Sequence, residues 1–169
     1  SQISAVTEGI GTIVVGYLQP NQDNLGWTDA FTRAGGIHAA AISAATDIGS
    51  ITVSAAEGLG GSIDETTTIH AIAGSIGAIS ADAAIDADIT AHTFITSILA
   101  AADADLSLPP LLDGVTRDIT GHVTTETGNL GSLIDNAGDI NVTAIALTSH
   151  ETARQNPAYL QAGRHQAAL

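Results

Sequence analysis

Residues 47–53 read DIGSITV, and the same short pattern occurs at several other places along the chain. An aliphatic residue, a glycine, a small residue and a second aliphatic residue recur in GIGTIVV, SIGAIS and NLGSLID. The first aliphatic residues of these four stretches are Ile10, Ile48, Ile76 and Leu130. A motif that returns along one chain predicts a repeating architecture, in which each copy contributes one structural layer.

The spacing of the motif predicts a repeat of about 27–28 residues, a length typical of solenoid proteins. Ile48 and Ile76 lie one such repeat apart, and the interval from Ile76 to Leu130 is two repeats. A degenerate copy is therefore expected near residue 104, in the stretch ADLSLPPLL. The first interval, from Ile10 to Ile48, is longer and contains the polar, irregular segment 17–36, which we expect to be an inserted loop.

Within a repeat, hydrophobic residues recur at every second position. From Ile79 to Ile95 the odd positions hold Ile, Ala or Thr, whereas most even positions hold Ser, Asp, Thr or His. Such alternation is typical of a strand with one buried side. An Ala-rich helix is the competing interpretation, but it would need hydrophobic residues three and four apart and basic partners for its aspartates. The pattern therefore favours strands.

These observations predict an all-β fold. Short strands at this period, separated by Gly, Asn and Asp, indicate a right-handed parallel β-helix, or solenoid, of about five coils over residues 1–148. The first isoleucine of each motif should point into the interior, and Gly49, Gly77 and Gly131 should turn corners where a Cβ would clash or φ must be positive. A β-sandwich is the alternative, although hairpin signals are nearly absent. Residues 149–169 lose the alternation, and we expect a short C-terminal helical tail or cap.

The stretches DIGSITV, SIGAIS, NLGSLID and AGDINVTAI resemble the degenerate Gly/Ile β-strand repeats of large secreted bacterial surface proteins with a parallel β-helix fold. The likeness covers about residues 3–148. It implies a stalk, an adhesive surface or a scaffold at an extracellular or cell-surface location. Pro109 and Pro110 depart from the pattern because they cannot both lie inside a paired strand, so a loop is expected there.

Composition and charge exclude several classes of partner. The chain has 169 residues, no cysteine and a formal net charge of −14. Such a charge disfavours nucleic acid and anionic membrane surfaces, and no apolar run is long enough to insert into a membrane. Without cysteine there is neither a disulfide framework nor thiolate chemistry. The partners expected are further copies of the chain, or a glycan or protein at a surface.

Acidic residues on the polar phase of the strands are candidate cation ligands. Asp82, Asp86 and Asp88 should project outward, and the recurrence of DITAH at 88–92 as DITGH at 118–122 would place Asp118 beside Asp88. Stacked carboxylates repel unless water or a hard cation separates them, and Ca²⁺ binds oxygen ligands of this kind. The competing interpretation is a hydrated negative face. No cofactor motif is present, so Ca²⁺ is the one cofactor left open.

The same register would stack His92 on His122. Two imidazoles with flanking aspartates can bind a transition metal, but a zinc site requires three or four converging ligands. A repeated exposed residue is the simpler interpretation of this pair.

The candidate binding residues for a ligand or partner lie in the inserted loop. Tyr17, Trp27, Phe31 and Arg33 concentrate aromatic and basic side chains there, and loops on rigid scaffolds often carry function. Alternatively, Trp27 and Phe31 pack the loop onto the solenoid wall. Neither interpretation assigns a catalytic residue.

The function expected from the sequence is that of a structural or adhesive repeat segment of a secreted or cell-surface protein, assembling end to end. The alternative is a polysaccharide-acting enzyme or a carbohydrate-binding module on the same fold. An enzyme would use Arg117 together with Asp86, Asp88 and Asp118. The strongly negative charge and scarce basic residues count against an anionic polymer as substrate.

Overall fold

A computed structural model describes residues 1–16, 36–54, 61–102 and 117–146 of the chain. These residues form β-strands and contain no helix. Most of the predicted inserted loop, the predicted loop at Pro109 and Pro110 and the whole of the predicted helical tail lie outside the described residues. The strands are β1 (Gln2–Ala5), β2 (Ile10–Val15), β3 (Gly36–Ile37), β4 (Ala41–Ala44), β5 (Ile48–Val53), β6 (Ser62–Ala71), β7 (Ile76–Ala81), β8 (Ile85–Ala91), β9 (Ile95–Ala100), β10 (Ile119–Thr125), β11 (Leu133–Asp135) and β12 (Ile140–Ala146).

The strands form two parallel sheets. The seven-stranded sheet has the order β1-β4-β6-β8-β10-β12, with β3 also paired to β6, and the five-stranded sheet has the order β11-β9-β7-β5-β2. All pairings between these strands are parallel. Apart from β3 and β4, consecutive strands belong to different sheets, so the chain passes repeatedly from one sheet to the other. The predicted all-β class is confirmed, and the topology is consistent with a solenoid like a β-helix.

The predicted stack of motif isoleucines is present in the five-stranded sheet. Ile10 pairs with Ile48, and Ile48 pairs with Ile76. The stack continues through Ile95 to Leu130. The stretch near residue 104, where a degenerate copy was predicted, lies outside the described residues. The residue that lies between Ile76 and Leu130 in the stack is Ile95, only 19 residues after Ile76. The prediction of a uniform repeat of 27–28 residues was therefore wrong. Pairing constrains the strands but not the lengths of the connections between them, and the period therefore varies.

The interior is made almost entirely of isoleucine and alanine. The largest fully buried side chains of the described residues are all isoleucines. This agrees with the composition, because a chain that is 44% hydrophobic but only 3% aromatic must fill its core with small aliphatic side chains. In the seven-stranded sheet one row of isoleucines and one row of small residues run across the strands. The rows are Ile37, Ile63, Ile85, Ile119 and Ile140, and Ala5, Ala44, Ala71, Ala91 and Thr125.

The alternation between Ile79 and Ile95 is confirmed by burial. The aliphatic residues at odd positions in this segment are at most 1% exposed. The segment is not one strand, however, because β7 ends at Ala81, β8 spans Ile85–Ala91 and β9 starts at Ile95. The connecting residues keep the inward and outward phase while the chain crosses between the sheets.

Two of the three glycines predicted to turn corners do not do so, and the third, Gly131, lies between Leu130 and the start of β11. Gly49 and Gly77 lie inside β5 and β7, and positive φ among the described glycines occurs at Gly61 and Gly121 instead. The expected clash is nevertheless confirmed. A Cβ on Gly49 would overlap the carbonyl oxygen of Gly11, and a Cβ on Gly77 would overlap that of Gly49. Glycine is needed because the backbones of adjacent strands approach closely here.

We predict that Gly77→Ala destabilises the protein by about 2 kcal/mol, because the added methyl group must displace a backbone carbonyl rather than a side chain. Gly11→Ala is the matched control, since a Cβ at the same motif position in β2 has open space around it. Urea denaturation of both variants measures the difference. Equal losses at the two positions would contradict close backbone stacking as the reason for the glycine.

Candidate functional site

The outer surface of the seven-stranded sheet carries most of the ionisable side chains in the described strands. We call it the histidine face. Its outward residues include Asp64 and His70 on β6, Asp86 and Asp88 on β8, and His122 on β10. Side chains at alternate positions of a strand point to the same side, so these groups share one surface.

Three histidines on or beside this face pair with carboxylates of a neighbouring strand. The Nδ1 atom of His122 lies 3.0 Å from a carboxylate oxygen of Asp88. The Nδ1 atom of His92 lies 2.7 Å from Glu126. His38 makes the third pair, with its Nδ1 atom 2.7 Å from Asp64. Each histidine therefore contacts a carboxylate across one strand spacing.

The register between β8 and β10 explains two of these pairs. Ile85 pairs with Ile119, and Asp88 pairs with His122, so the residue numbers of the partners differ by 34. The same offset carries past the strand ends and places His92 beside Glu126. The third pair follows the register of β3 and β6, in which Ile37 lies beside Ile63.

The register predicted from DITAH and DITGH is therefore wrong. His122, not Asp118, lies opposite Asp88, and His92 does not stack on His122. The predicted and the observed offsets are both even, so both keep the same residues inside, and alternation cannot distinguish them. Charge could have done so, because like charges placed directly opposite are unfavourable and opposite charges are favourable.

Asp64 has the most extensive hydrogen bonding on this face. Its Oδ1 atom accepts hydrogen bonds from the Ala39 amide at 3.0 Å and from the Thr66 hydroxyl at 3.0 Å, while Oδ2 contacts His38. Desolvation on its own raises the pKa of Asp64. The hydrogen bonds, first that of the Ala39 amide and then that of His38, outweigh it and lower the pKa below the ordinary 3.8. Asp64 thereby joins the ends of β3 and β6, a role that the sequence did not indicate.

The four carboxylates predicted to bind a cation do not form one cluster. Asp88 is paired with His122, and Asp86 lies beside Thr120 in the strand register. Asp118 accepts a hydrogen bond from the Asp139 amide at 2.9 Å, and Asp82 follows β7 in the connection to β8. Across the described ranges, no three His, Asp or Glu side chains converge to hold a metal ion. Asp88 therefore does not make the contact with Asp118 on which the predicted Ca²⁺ site depended.

Of the other residues predicted to be functional, four lie outside the described part of the chain and one is buried. Tyr17, Trp27, Phe31 and Arg33 lie outside the described residues, so their binding role stays a prediction. Arg117 is only 6% exposed, although the enzymatic alternative required its side chain to reach a polymer.

The exposed histidine pairs can do little to hold the fold together. The paired side chains are between 35% and 70% exposed. At this exposure an ion pair contributes about 0.2–1 kcal/mol, and only while the imidazole is protonated. The pairs instead favour one register of neighbouring strands over others, since a shift of two residues would separate each imidazole from its carboxylate.

We predict that Asp64→Asn lowers the free energy of unfolding by about 1 kcal/mol at neutral pH, because the ionised carboxylate accepts the stronger hydrogen bonds. The folded-state pKa is lowered, so this contribution is present above pH 3.8 and is lost as the pH falls through the folded-state value. Thermal melts between pH 2 and pH 7 provide the measurement. Asp88→Asn is the control, since its single pair is 61% exposed on the Asp88 side and its loss should change stability by less than about 0.5 kcal/mol. A pH-independent loss for Asp64→Asn would contradict the role of its charge.

No helix that is long and apolar enough to cross a membrane occurs in the described part of the chain. No protein-family model, curated protein or solved structure matches the sequence. The stacked sheets and their outer surfaces are therefore the features on which a functional proposal can rest.

Proposed function

We propose that the chain is a structural or adhesive repeat segment of a secreted or cell-surface protein, extended by stacking further coils on its ends. In this proposal the two sheets are joined into a closed, right-handed solenoid of about five coils, in which each coil supplies one layer to each sheet. The handedness is the one that parallel crossovers nearly always take. The single observation that carries the proposal is the open apolar end at β1 and β2.

Burial changes abruptly at this end. Ile3 on β1 is 44% exposed, whereas its neighbour Ile42 on β4 is 1% exposed. In the other sheet Ile10 is partly exposed, whereas Ile48, which pairs with it, is fully buried. These isoleucines continue the interior rows to the end of the stack, where no other described residue covers them. Covering an exposed isoleucine is favourable by about 1 to 2 kcal/mol, depending on the area buried.

The backbone at this end also has hydrogen-bonding groups free of the neighbouring strand. The carbonyls of Ser1 and Ala5 accept hydrogen bonds from the amides of Ala41 and Ala45 on the β4 side. In a parallel ladder the intervening residues face the opposite way, so the backbone groups of Gln2 and Ser4 point toward the open edge. An unpaired parallel edge is a template for another strand. A further coil, from another part of a longer chain or from another molecule, would satisfy both the isoleucines and these groups.

No observation favours the enzymatic alternative. Arg117 is buried, and the described residues contain no group of three His, Asp or Glu side chains that could hold a metal ion. The high negative charge suits a hydrated surface exposed to the medium. Protease treatment of intact cells that produce the protein tests the surface location, and resistance of the protein until the cells are lysed would contradict it.

End-to-end stacking is tested with Ser4→Pro. Proline removes the amide that points to the open edge but leaves the bonds between β1 and β4, because those use Ser1, Ile3 and Ala5. Ser4→Ala, which keeps the amide, is the matched control. We expect the wild type and Ser4→Ala to form elongated oligomers with increasing concentration, whereas Ser4→Pro stays monomeric.

Sedimentation velocity and negative-stain electron microscopy measure this difference, and circular dichroism checks that each variant keeps its β structure. A wild-type protein that stays monomeric at all concentrations would show that this end does not stack on other molecules. Equal assembly of Ser4→Pro and Ser4→Ala would show that the β1 edge is not the site of stacking.

A further inference from the structure

The outer surface of the five-stranded sheet carries no ionisable side chain on its described strands. We call it the neutral face. The only acidic residue in these five strands, Asp135, lies opposite buried Ala100 on the inward phase and accepts hydrogen bonds from the Ala137 and Gly138 amides. The outward residues are Gly11, Thr12, Val14, Gly49, Ser50, Thr52, Gly77, Ala78, Ser80, Thr96, Ser97, Leu99 and Ile134.

The absence of charge on this described face contrasts with the rest of the molecule. The chain has a net charge of −14, and the histidine face carries several carboxylates. Acidic residues also stand just outside the neutral face, at Glu8 and Asp47 before β2 and β5 and at Asp82 after β7. Two copies of the chain therefore repel each other over much of their surface, but not where two neutral faces meet.

The neutral face is also regular in its strand register and partly apolar. Its strands keep one register, and the Ser50 hydroxyl donates a hydrogen bond to Thr12 across two of them at 3.3 Å. One row consists of Val14, Thr52, Ser80, Leu99 and Ile134, with apolar residues at both ends. Val14 is 66% exposed. Small side chains at the centre of the face permit close approach of a second sheet.

We infer that the neutral face binds the neutral face of a second copy of this chain. Two sheets pack face to face at about 10 Å, and a two-fold axis parallel to the strands makes the pairing self-complementary. That axis reverses the strand order, so Val14 of one copy meets Ile134 of the second copy, and Ser80 meets Ser80 near the axis. The apolar ends of the row thus cover each other.

A second copy fits this face better than other occupants do. The described face has no aromatic platform for a sugar and no charged group to orient an ionic ligand. With strands about 4.8 Å apart, the face measures about 19 by 15 Å, or roughly 300 Å², well below the 800 Å² per partner of a standard interface. The pairing is therefore weak between single chains. It grows stronger with salt, because salt screens the repulsion between the acidic residues around the face.

The test compares Ser80→Asp with Thr90→Asp. Both add one negative charge at an outward, half-exposed position of a strand, the first on the neutral face and the second on the histidine face. Sedimentation equilibrium is run on the full chain from about 10 μM to 1 mM, the range in which a weak interface dissociates. To keep end-to-end stacking out of the measurement, each protein also carries Ser4→Pro.

We expect Ser4→Pro alone and Ser4→Pro with Thr90→Asp to form dimers that become more stable at high salt. Ser4→Pro with Ser80→Asp should dimerise at least about tenfold more weakly. Because the chain contains no cysteine, Ser80→Cys should cross-link to itself with a short bis-maleimide reagent, whereas Thr90→Cys should not. A monomer at every concentration and salt level would overturn the inference, as would equal weakening by both aspartates. These measurements test the neutral face alone. End-to-end stacking through β1 is tested separately, by comparing Ser4→Pro with Ser4→Ala.

Discussion

The structure depends on in-register contact between identical or similar aliphatic side chains of adjacent parallel strands. Ile48 lies between Ile10 and Ile76, and the isoleucines in β3, β6, β8 and β10 form a comparable row in the other sheet. Each fully buried isoleucine contributes about 2 to 3 kcal/mol relative to an exposed one, and the rows repeat this contact layer by layer. The described interior contains no aromatic side chain that could replace these rows. Stability therefore depends on register rather than on any single residue.

That constraint applies to the inner side chains and leaves the outer ones free to differ. One outer surface places histidines opposite carboxylates, and the other, over its described strands, excludes ionisable groups. Where the backbones approach most closely, the constraint reaches the outer side as well, and Gly49 and Gly77 are the result. The fold thus combines a fixed interior, two glycines required by close backbone approach and two outer surfaces whose chemistry varies independently of the interior.

Alternation in the sequence predicted which residues are buried, because an inward position is apolar in nearly every strand. The spacing of the glycine motif also predicted that Ile10, Ile48 and Ile76 lie side by side. The register of β8 and β10 could not be obtained in this way. Any even shift keeps Ile85 and Ile119 inside, and the choice between shifts depends on the lengths of the connections and on cross-strand charge. The partner of His92 depends on that choice, so the sequence singled out Asp88, His92 and His122 but not the way in which they are paired.

The association proposed above would have to occur between copies that each carry a net charge of −14, so the placement of that charge matters. Stacking one layer on another brings outward residues to within about 5 Å of those in the next layer, so unbroken columns of carboxylates would accumulate repulsion as the stack grew. The observed register avoids this, since His122 follows Asp88 in its column and Thr90 follows His70 in the next. Strands β1 and β2 at the exposed end carry no acidic side chain, although Glu8 lies in the connection between them, and the described neutral face has no outward acidic side chain. Among the described strands, repulsion between copies is therefore expected mainly along the histidine face, which agrees with the proposal that association uses the end of the stack and the opposite side.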